Sequence, residues 1–425
     1  MINNKILIIT YYWPPAGGSG VQRWLKFSKY LPEYGWKPII FTPENPYSEI
    51  NDIDLYSDIS NDTEIWKIPI WEPYSIKDKL FGKGANVQSS GIILNNNSFK
   101  NRLLKWIRGN FFIPDPKIYW VKPSIDFLVK KIKSEGINCI VTTGPPHSMH
   151  LIGLGLKKLL PDLNWVSDFR DPWSELDILE EFNLSTRSKL KHLKLENQVL
   201  KTADLVLTVS KTWLDDLKRL GAKNIELITN GFDDEDFVFE KKDNDKFIIG
   251  HFGLLNHLRN PINFWKTLND ICKRDPMFNK KLEIHLAGNI DNSVLIQIKS
   301  FSFLKDKIVD LKYLSHKNVI KHYNQVSVML LLLFNSKSGI GNYPGKIFEY
   351  FAIKKPIVAF GPKISDSKDL INSTKTGIYF SYDDVNLEEN LLKVFNNKLS
   401  FGVQNTDQFS RVKLTEKLAN LLNKF

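Results

Sequence analysis

Short apolar runs punctuate this chain, each the length of a strand buried on both faces. KILIIT (Lys5 to Thr10), KPIIFT, INCIVTTG, NWVSDF, DLVLTVS (Asp204 to Ser210) and IELITNG (Ile225 to Gly231) make a first series. FIIGHFG, LEIHLAG, IVDLKYL, VSVMLLLLF (Val326 to Phe334), PIVAF and GIYF make a second. Helical spacing intervenes: Val21, Trp24, Leu25, Ser28 and Leu31 predict a helix from about Val21 to Tyr34, ended by Gly35. Alternating strands and helices predict parallel sheets with helices on their faces, an α/β chain. The charged stretch FDDEDFVFEKKDNDK separates the two series and reads as a linker, and ANVQSSGIILNNNS, near 86–98, reads as a mobile loop. The expected division is a Rossmann-like domain over 1–235, a second over 236–405, and an amphipathic helix over 406–425 that returns to the first.

Composition narrows the partners. A chain of 425 residues suits two domains. Lys and Arg number 58 against 47 Asp and Glu, a net charge of +11, which favours anionic partners: nucleotide phosphates or anionic lipid. Nucleic acid is not expected, because no groove-reading motif or dense basic stripe is visible. The two cysteines, Cys139 and Cys272, form neither a disulfide framework nor a metal-ligand spacing, which fits a reducing compartment. MINNKILIIT lacks the features of a signal peptide, and no apolar run approaches the roughly 20 residues of a membrane span. A cytoplasmic protein is expected. FKNRLLKWIRGNFFIPDPKIYW (Phe99 to Trp120) interleaves Lys and Arg with Trp, Phe and Leu, the pattern of a basic amphipathic helix lying on an anionic membrane surface at its inner face.

Candidate chemistry sits in loops that follow strands. In PPAGGSGVQRW, Gly17, Gly18 and Gly20 remove side chains just before a helix, so backbone can approach a ligand. A dinucleotide fingerprint would need glycine where Arg23 stands. VTTGPPHSMH places His147 and His150 at the start of a helix. WVSDFRDPW clusters Asp168, Arg170 and Asp171 just past a strand end, where open α/β sheets face their ligands. Arg170 suits a phosphate and the aspartate an acceptor hydroxyl; a self-contained Arg–Asp network is the alternative. In GHFGLLNHLRNP, Gly253 permits close approach and Arg259 suits a diphosphate. PGKIFEYFA (Pro344 to Ala352) predicts a helix with Pro344 at its first position. Its apolar side is Ile347, Phe348, Phe351 and Ala352; Lys346 and Glu349 share the opposite side. The free N–H groups at such a helix start suit a phosphate, and a carboxylate one turn on suits sugar hydroxyls.

Taken together, these motifs resemble the retaining nucleotide-sugar glycosyltransferases of the GT-B fold, in particular the family 4-like group. GGSGVQRW is similar to that family's first glycine loop. The segment ending NGFDDEDF matches its N-G-x-D-x-x-x-F pattern at Asn230, Gly231, Asp233 and Phe237. PGKIFEYFAIKKPIVA is similar to its donor-binding helix. The resemblance implies two Rossmann-like domains facing a central cleft. It also implies transfer of a sugar from a UDP-, GDP- or ADP-linked donor to a glycan or lipid-linked hydroxyl acceptor, in surface polysaccharide or lipid-linked glycan synthesis. Gly18, Gly20, Gly253, Arg259, Gly345, Lys346 and Glu349 would bind the donor, with Glu349 on the ribose; Asp168, Arg170 and His147 would form the catalytic and acceptor side. Neither a cofactor nor a metal is implied; Asp52-Ile53-Asp54 matches a metal motif by letters alone. The chain departs from the family at Gly341, where a second glutamate is usual, at Leu254 and Asn260, where basic residues are usual, and at Arg170, which takes the place of a histidine. Two other functions fit the same frame: a non-catalytic glycan-assembly scaffold and a nucleotide-dependent oxidoreductase.

Overall fold

The computed structural model describes residues 4–48, 51–72, 99–237, 245–396, 401 and 404–425. The chain separates into two units, Met1–Thr229 with Leu414–Phe425, and Asn230–Lys413. The loop expected near 86–98 lies outside the described residues.

The first unit is a seven-stranded parallel sheet in the order β3-β2-β1-β4-β5-β6-β7. Its strands are β1 (Asn4–Ile9), β2 (Trp36–Pro43), β3 (Glu64–Ile68), β4 (Cys139–Gly144), β5 (Asn164–Phe169), β6 (Leu205–Thr208) and β7 (Ile225–Leu227). Its main helices are α1 (Ser19–Tyr30), α2 (Phe99–Phe111), α3 (Ile118–Glu135), α4 (Ser148–Leu159), α5 (Thr186–Thr202) and α6 (Lys211–Arg219). Strand β1 shows why apolar residues are continuous in these strands. Leu7 and Ile9 enter one core with Trp120 and Trp165, while Ile6 and Ile8 enter another with Trp24 and Leu25. Both faces are buried, so no polar alternation remains. Leu414, Leu418, Ala419 and Leu422 of the C-terminal helix (Arg411–Leu422) complete that second core.

The second unit is a six-stranded parallel sheet in the order β10-β9-β8-β11-β12-β13. Its strands are β8 (Phe247–Phe252), β9 (Leu282–Ala287), β10 (Ile308–Lys312), β11 (Val328–Leu332), β12 (Ile357–Gly361) and β13 (Gly377–Ser381). The helices used below are α7 (Ile262–Arg274), α8 (His316–Tyr323) and α9 (Gly345–Ile353). Along β11, Val328, Leu330 and Leu332 face one core and Met329 and Leu331 the other. In each unit the strand order reverses beside the first strand, between β1 and β4 and between β8 and β11. The crevice beyond strand ends at such a reversal is where α/β sheets bind ligands.

Four sequence expectations change. Strand β3 was not foreseen; it is an edge strand whose only buried side chain is Trp66. Helix α1 stops at Tyr30 and tightens into a 3-10 turn over Leu31–Tyr34, because Pro32 lacks the N–H that would continue the ladder; Gly35, at φ +82°, closes it. The basic stretch from Phe99 is two helices, broken where Pro114 and Pro116 intervene, and Trp120 belongs to the core. The expected linker is partly structured: Phe232 and Phe237 pack in the second unit's core, and Asp234–Asp236 forms a 3-10 turn; residues 238–244 lie outside the description.

Candidate functional site

In the second unit the loops after β8, β9 and β11 converge at the strand-order reversal. The backbone N–H of Gly253 donates to Ala287 O at 2.7 Å, and a Cβ on Gly288 would lie 2.4 Å from Gly253 O. With φ at +114° as well, position 288 accepts only glycine at this approach. A Cβ on Gly253 would meet the Lys346 ammonium at 2.5 Å, so the glycine lets that charge close over the strand end.

Helix α9 starts one residue later than expected. Pro344 is its N-cap, at ψ 139°, and Gly345 is its first helical residue. No side chain caps this end, and no atom lies within 4 Å of where a Gly345 Cβ would be. Ile347, Phe348, Phe351 and Ala352 are buried as the spacing predicted, joined by Tyr350 and Ile353.

Two cations face this helix start. The Arg259 guanidinium lies 3.6 Å from the centre of the Phe334 ring, and its Nε is buried without a partner among the described residues. Neither Arg259 nor Lys346 joins an ion pair there. Burial brings the Arg259 guanidinium down to about 10. Burial lowers Lys346 as well; Glu349 opposes the fall and Arg259 adds to it. Two half-buried cations beside a helix start with no side-chain cap are a setting that suits an anion.

Glu349, one turn inside α9, accepts from Tyr323 Oη at 2.5 Å on Oε2, while Oε1 lies 3.3 Å from His316 Nε2. Burial pushes this carboxyl up, but the His316 and Tyr323 hydrogen bonds and the Lys346 charge outweigh it and bring the group down to about 2. An ionised carboxylate has about four acceptor positions, so two remain for hydroxyl donors. His251, buried below Gly253, has Nδ1 3.1 Å from Leu330 O and is kept neutral by burial, at about 4.

The first unit gives its predicted residues a different setting. Asp168 has no exposure. It takes a bidentate contact from Arg23 (2.9 Å to Nη2), Trp24 Nε1 at 2.7 Å and Thr143 Oγ1 at 2.9 Å. The Arg–Asp network is thus real, but its arginine is Arg23, and the expected contact of Asp168 with an acceptor meets a carboxylate already saturated. Arg170 is likewise committed. It donates to the carbonyls of Gly20 (2.9 Å), Gly144 (3.2 Å) and Pro145 (2.5 Å), joining the loops after β1, β4 and β5. Three backbone acceptors make it a brace for these loops and use three of its five N–H donors, which leaves two of the full set available to a phosphate. His147 stands at the N-cap position of α4 without a side-chain capping bond, stacks on Trp173 with centroids 5.1 Å apart, and approaches Pro172 O at 3.2 Å; burial lowers it well below the ordinary imidazole value. Gly18, at φ +92°, caps α1, and a Cβ on Gly20 would touch Tyr12 at 3.0 Å.

The partners Arg23, Trp24, Tyr323 and Phe334 were not foreseen as site residues. Each lies far along the chain from the group it holds, and no local spacing announces such a pairing.

No protein-family model matches the chain, and no curated protein sequence does either. Solved structures do. Sucrose-phosphate synthase from Thermosynechococcus elongatus is 14% identical, with 99% of each chain covered and a TM-score of 0.64. TarM from S. aureus, solved with fondaparinux, α-GlcNAc-glycerol and UDP, is 12% identical, covers 99% of this chain and 100% of its own, and scores 0.61. A structure described as a putative UDP-N-acetylglucosamine 2-epimerase from Listeria monocytogenes is 10% identical, covers 99% and 96%, and scores 0.57. At these identities the likeness is one of architecture: the chain has the GT-B fold, two parallel-sheet α/β units, shared with nucleotide-sugar glycosyltransferases.

Proposed function

We propose that the protein is a family 4-like glycosyltransferase that moves a sugar from a nucleotide-diphosphate donor to a hydroxyl acceptor, retaining the anomeric configuration and needing no metal. The observation that carries this reading is the pair of half-buried cations, Arg259 and Lys346, at the uncapped start of α9 and one turn from Glu349. Breaking the anomeric C–O bond sends negative charge onto the departing diphosphate. Preorganised cations and helix N–H groups stabilise that charge without reorganising. Glu349, ionised at any working pH, accepts from the ribose hydroxyls. Gly345 keeps the approach free of a side chain, and Gly253 makes room for the Lys346 ammonium. In the first unit, Gly18 and His147 border the acceptor, while Asp168 and Arg170 act as positioning residues that hold the surrounding loops.

The acceptor we favour is a growing surface polysaccharide or a lipid-linked glycan. Trp71, Leu103, Trp106, Phe111 and Tyr119 are exposed close to Arg102 and Lys105 in sequence or contact, a composition that suits an anionic membrane surface. No helix among the described residues is long and apolar enough to cross a membrane.

The test is a panel of UDP, GDP and ADP sugars, read first by thermal stabilisation and then by product formation in EDTA. One base class should stabilise the protein and, with acceptor, give a product of unchanged anomeric configuration by NMR. Stabilisation by none of them removes the donor site. Binding without transfer leaves the scaffold reading, and conversion of the donor sugar without an acceptor would point to an epimerase.

A further inference from the structure

Away from the β1/β4 reversal, the first unit holds a small cavity between the loops after β5 and β6 and helices α5 and α6. Asp171, Glu175, Glu196, Thr208, Trp213 and Asp216 line it, and it has room for one water-sized guest. Its charged lining is entirely acidic. Arg219 neutralises part of this, pairing with Glu175 and Asp216 at 3.0 Å each. Asp171 and Glu196 make no ion pair among the described residues.

Two of these groups are buried and incompletely bonded. Glu196 is 1% exposed; Oε2 accepts from the Ser174 N–H at 3.1 Å, and Oε1 accepts from nothing. Thr208 is fully buried, and its hydroxyl has no partner either. Such orphaned oxygens are rare in folded proteins and point to a missing guest. A water would serve these oxygens at the cost of Glu196 taking up a proton, whereas a cation would let the carboxylate keep its charge.

We propose that this cavity is a monovalent-cation site, in which Na⁺, K⁺ or NH₄⁺ lies against Glu196 Oε1 and the Thr208 hydroxyl oxygen, with Asp171 supplying further negative charge. The donors are all hard oxygens, as alkali and ammonium ions prefer. Mg²⁺ holds several of its waters when bound, and the cavity has no room for them. An organic amine would bring an alkyl stem that exceeds the same space. Burial fits this too, pushing Glu196 up and Asp171 up to about 6, so both carboxyls gain from a neighbouring cation. The site adjoins Arg170 through Asp171, and so its filling bears on the brace that joins the loops after β1, β4 and β5.

The experiment is a thermal melt of the full chain in chloride salts of Na⁺, K⁺, NH₄⁺ and tetramethylammonium at equal ionic strength. The last ion is too large for the cavity. At least one small cation should raise Tm over tetramethylammonium by about 2 °C, with saturation as its concentration rises. Glu196→Gln and Thr208→Val should each lose that increment. The readout is a difference within each variant, so a lower baseline does not confuse it, and Thr208→Val carries the test if the glutamine variant fails to fold. Equal Tm in all four salts, or an increment that survives in the variants, would overturn the site and leave a buried water. Crystals soaked in RbCl decide independently: an anomalous peak beside Glu196 Oε1 supports the ion, and its absence opposes it.

Discussion

At the scale of residues, the candidate donor site is a charge arrangement, and its predictions concern charge. Arg259→Ala and Lys346→Ala should each weaken nucleotide-sugar binding by about 10- to 100-fold, the worth of a charged hydrogen bond. Arg259→Ala should not lower Tm through lost charge pairing, because no carboxylate among the described residues compensates that guanidinium, whereas Lys346→Ala also removes a charge that helps to keep Glu349 ionised and should lower Tm slightly. Isothermal titration beside a thermal melt checks both halves. Glu349 gives a pH signature. Its folded value, about 2, lies below the ordinary carboxylate value of 4.5, so the folded state favours the ionised form. That stabilisation is fully present above about pH 4.5 and is lost as pH falls towards 2. Wild type should therefore lose on the order of 2 kcal/mol more than Glu349→Gln across that window, read from denaturant melts at each pH. Glu349 itself was legible from the helical spacing of PGKIFEYFA. Its holders were not, because Tyr323 is on another helix and sequence spacing speaks only of neighbours within one element. Asp168 shows the same limit: the cluster SDFRD pointed to Arg170, and the fold supplied Arg23 instead.

At the scale of elements, close backbone packing separates glycines that hold the fold from those that keep space open. Gly288→Ala drives a Cβ into the Gly253 carbonyl, and the β8 and β9 loops must move apart. It should cost about 2–4 kcal/mol of stability and weaken donor binding as well. Gly345→Ala meets nothing and should change stability by less than about 0.5 kcal/mol, while its methyl group at the start of α9 reduces donor affinity. Melts and titrations on the pair distinguish the two roles. Asp168→Ala strands the buried Arg23 guanidinium and should destabilise the first unit by about 3–5 kcal/mol. Of the elements, the buried strands were readable because both faces demand apolar residues. Strand β3 was not, since its edge position asks for one buried side chain only.

At the scale of the molecule, the sheet orders of the two units are variations on one plan, each reversing beside its first strand. The alternating pattern in the sequence announced two such sheets. What it left open is how sharply the chain changes allegiance: Asn230 already belongs to the second unit, and Leu414 is back in the first. Deleting residues 414–425 uncovers the core around Trp24, Leu25 and Trp36. Hydrogen exchange on that truncated chain should show protection lost in β1 and β2 and kept in β8 and β11. Equal protection in both units would mean that the terminal helix contributes little.

That returning helix also sets an order of events on the ribosome. The first half of the chain emerges early but lacks a wall of its hydrophobic interior until the whole second unit has been translated. Nascent chains of this protein therefore spend most of synthesis with one side of the core around Trp24 open, a state that invites chaperone capture.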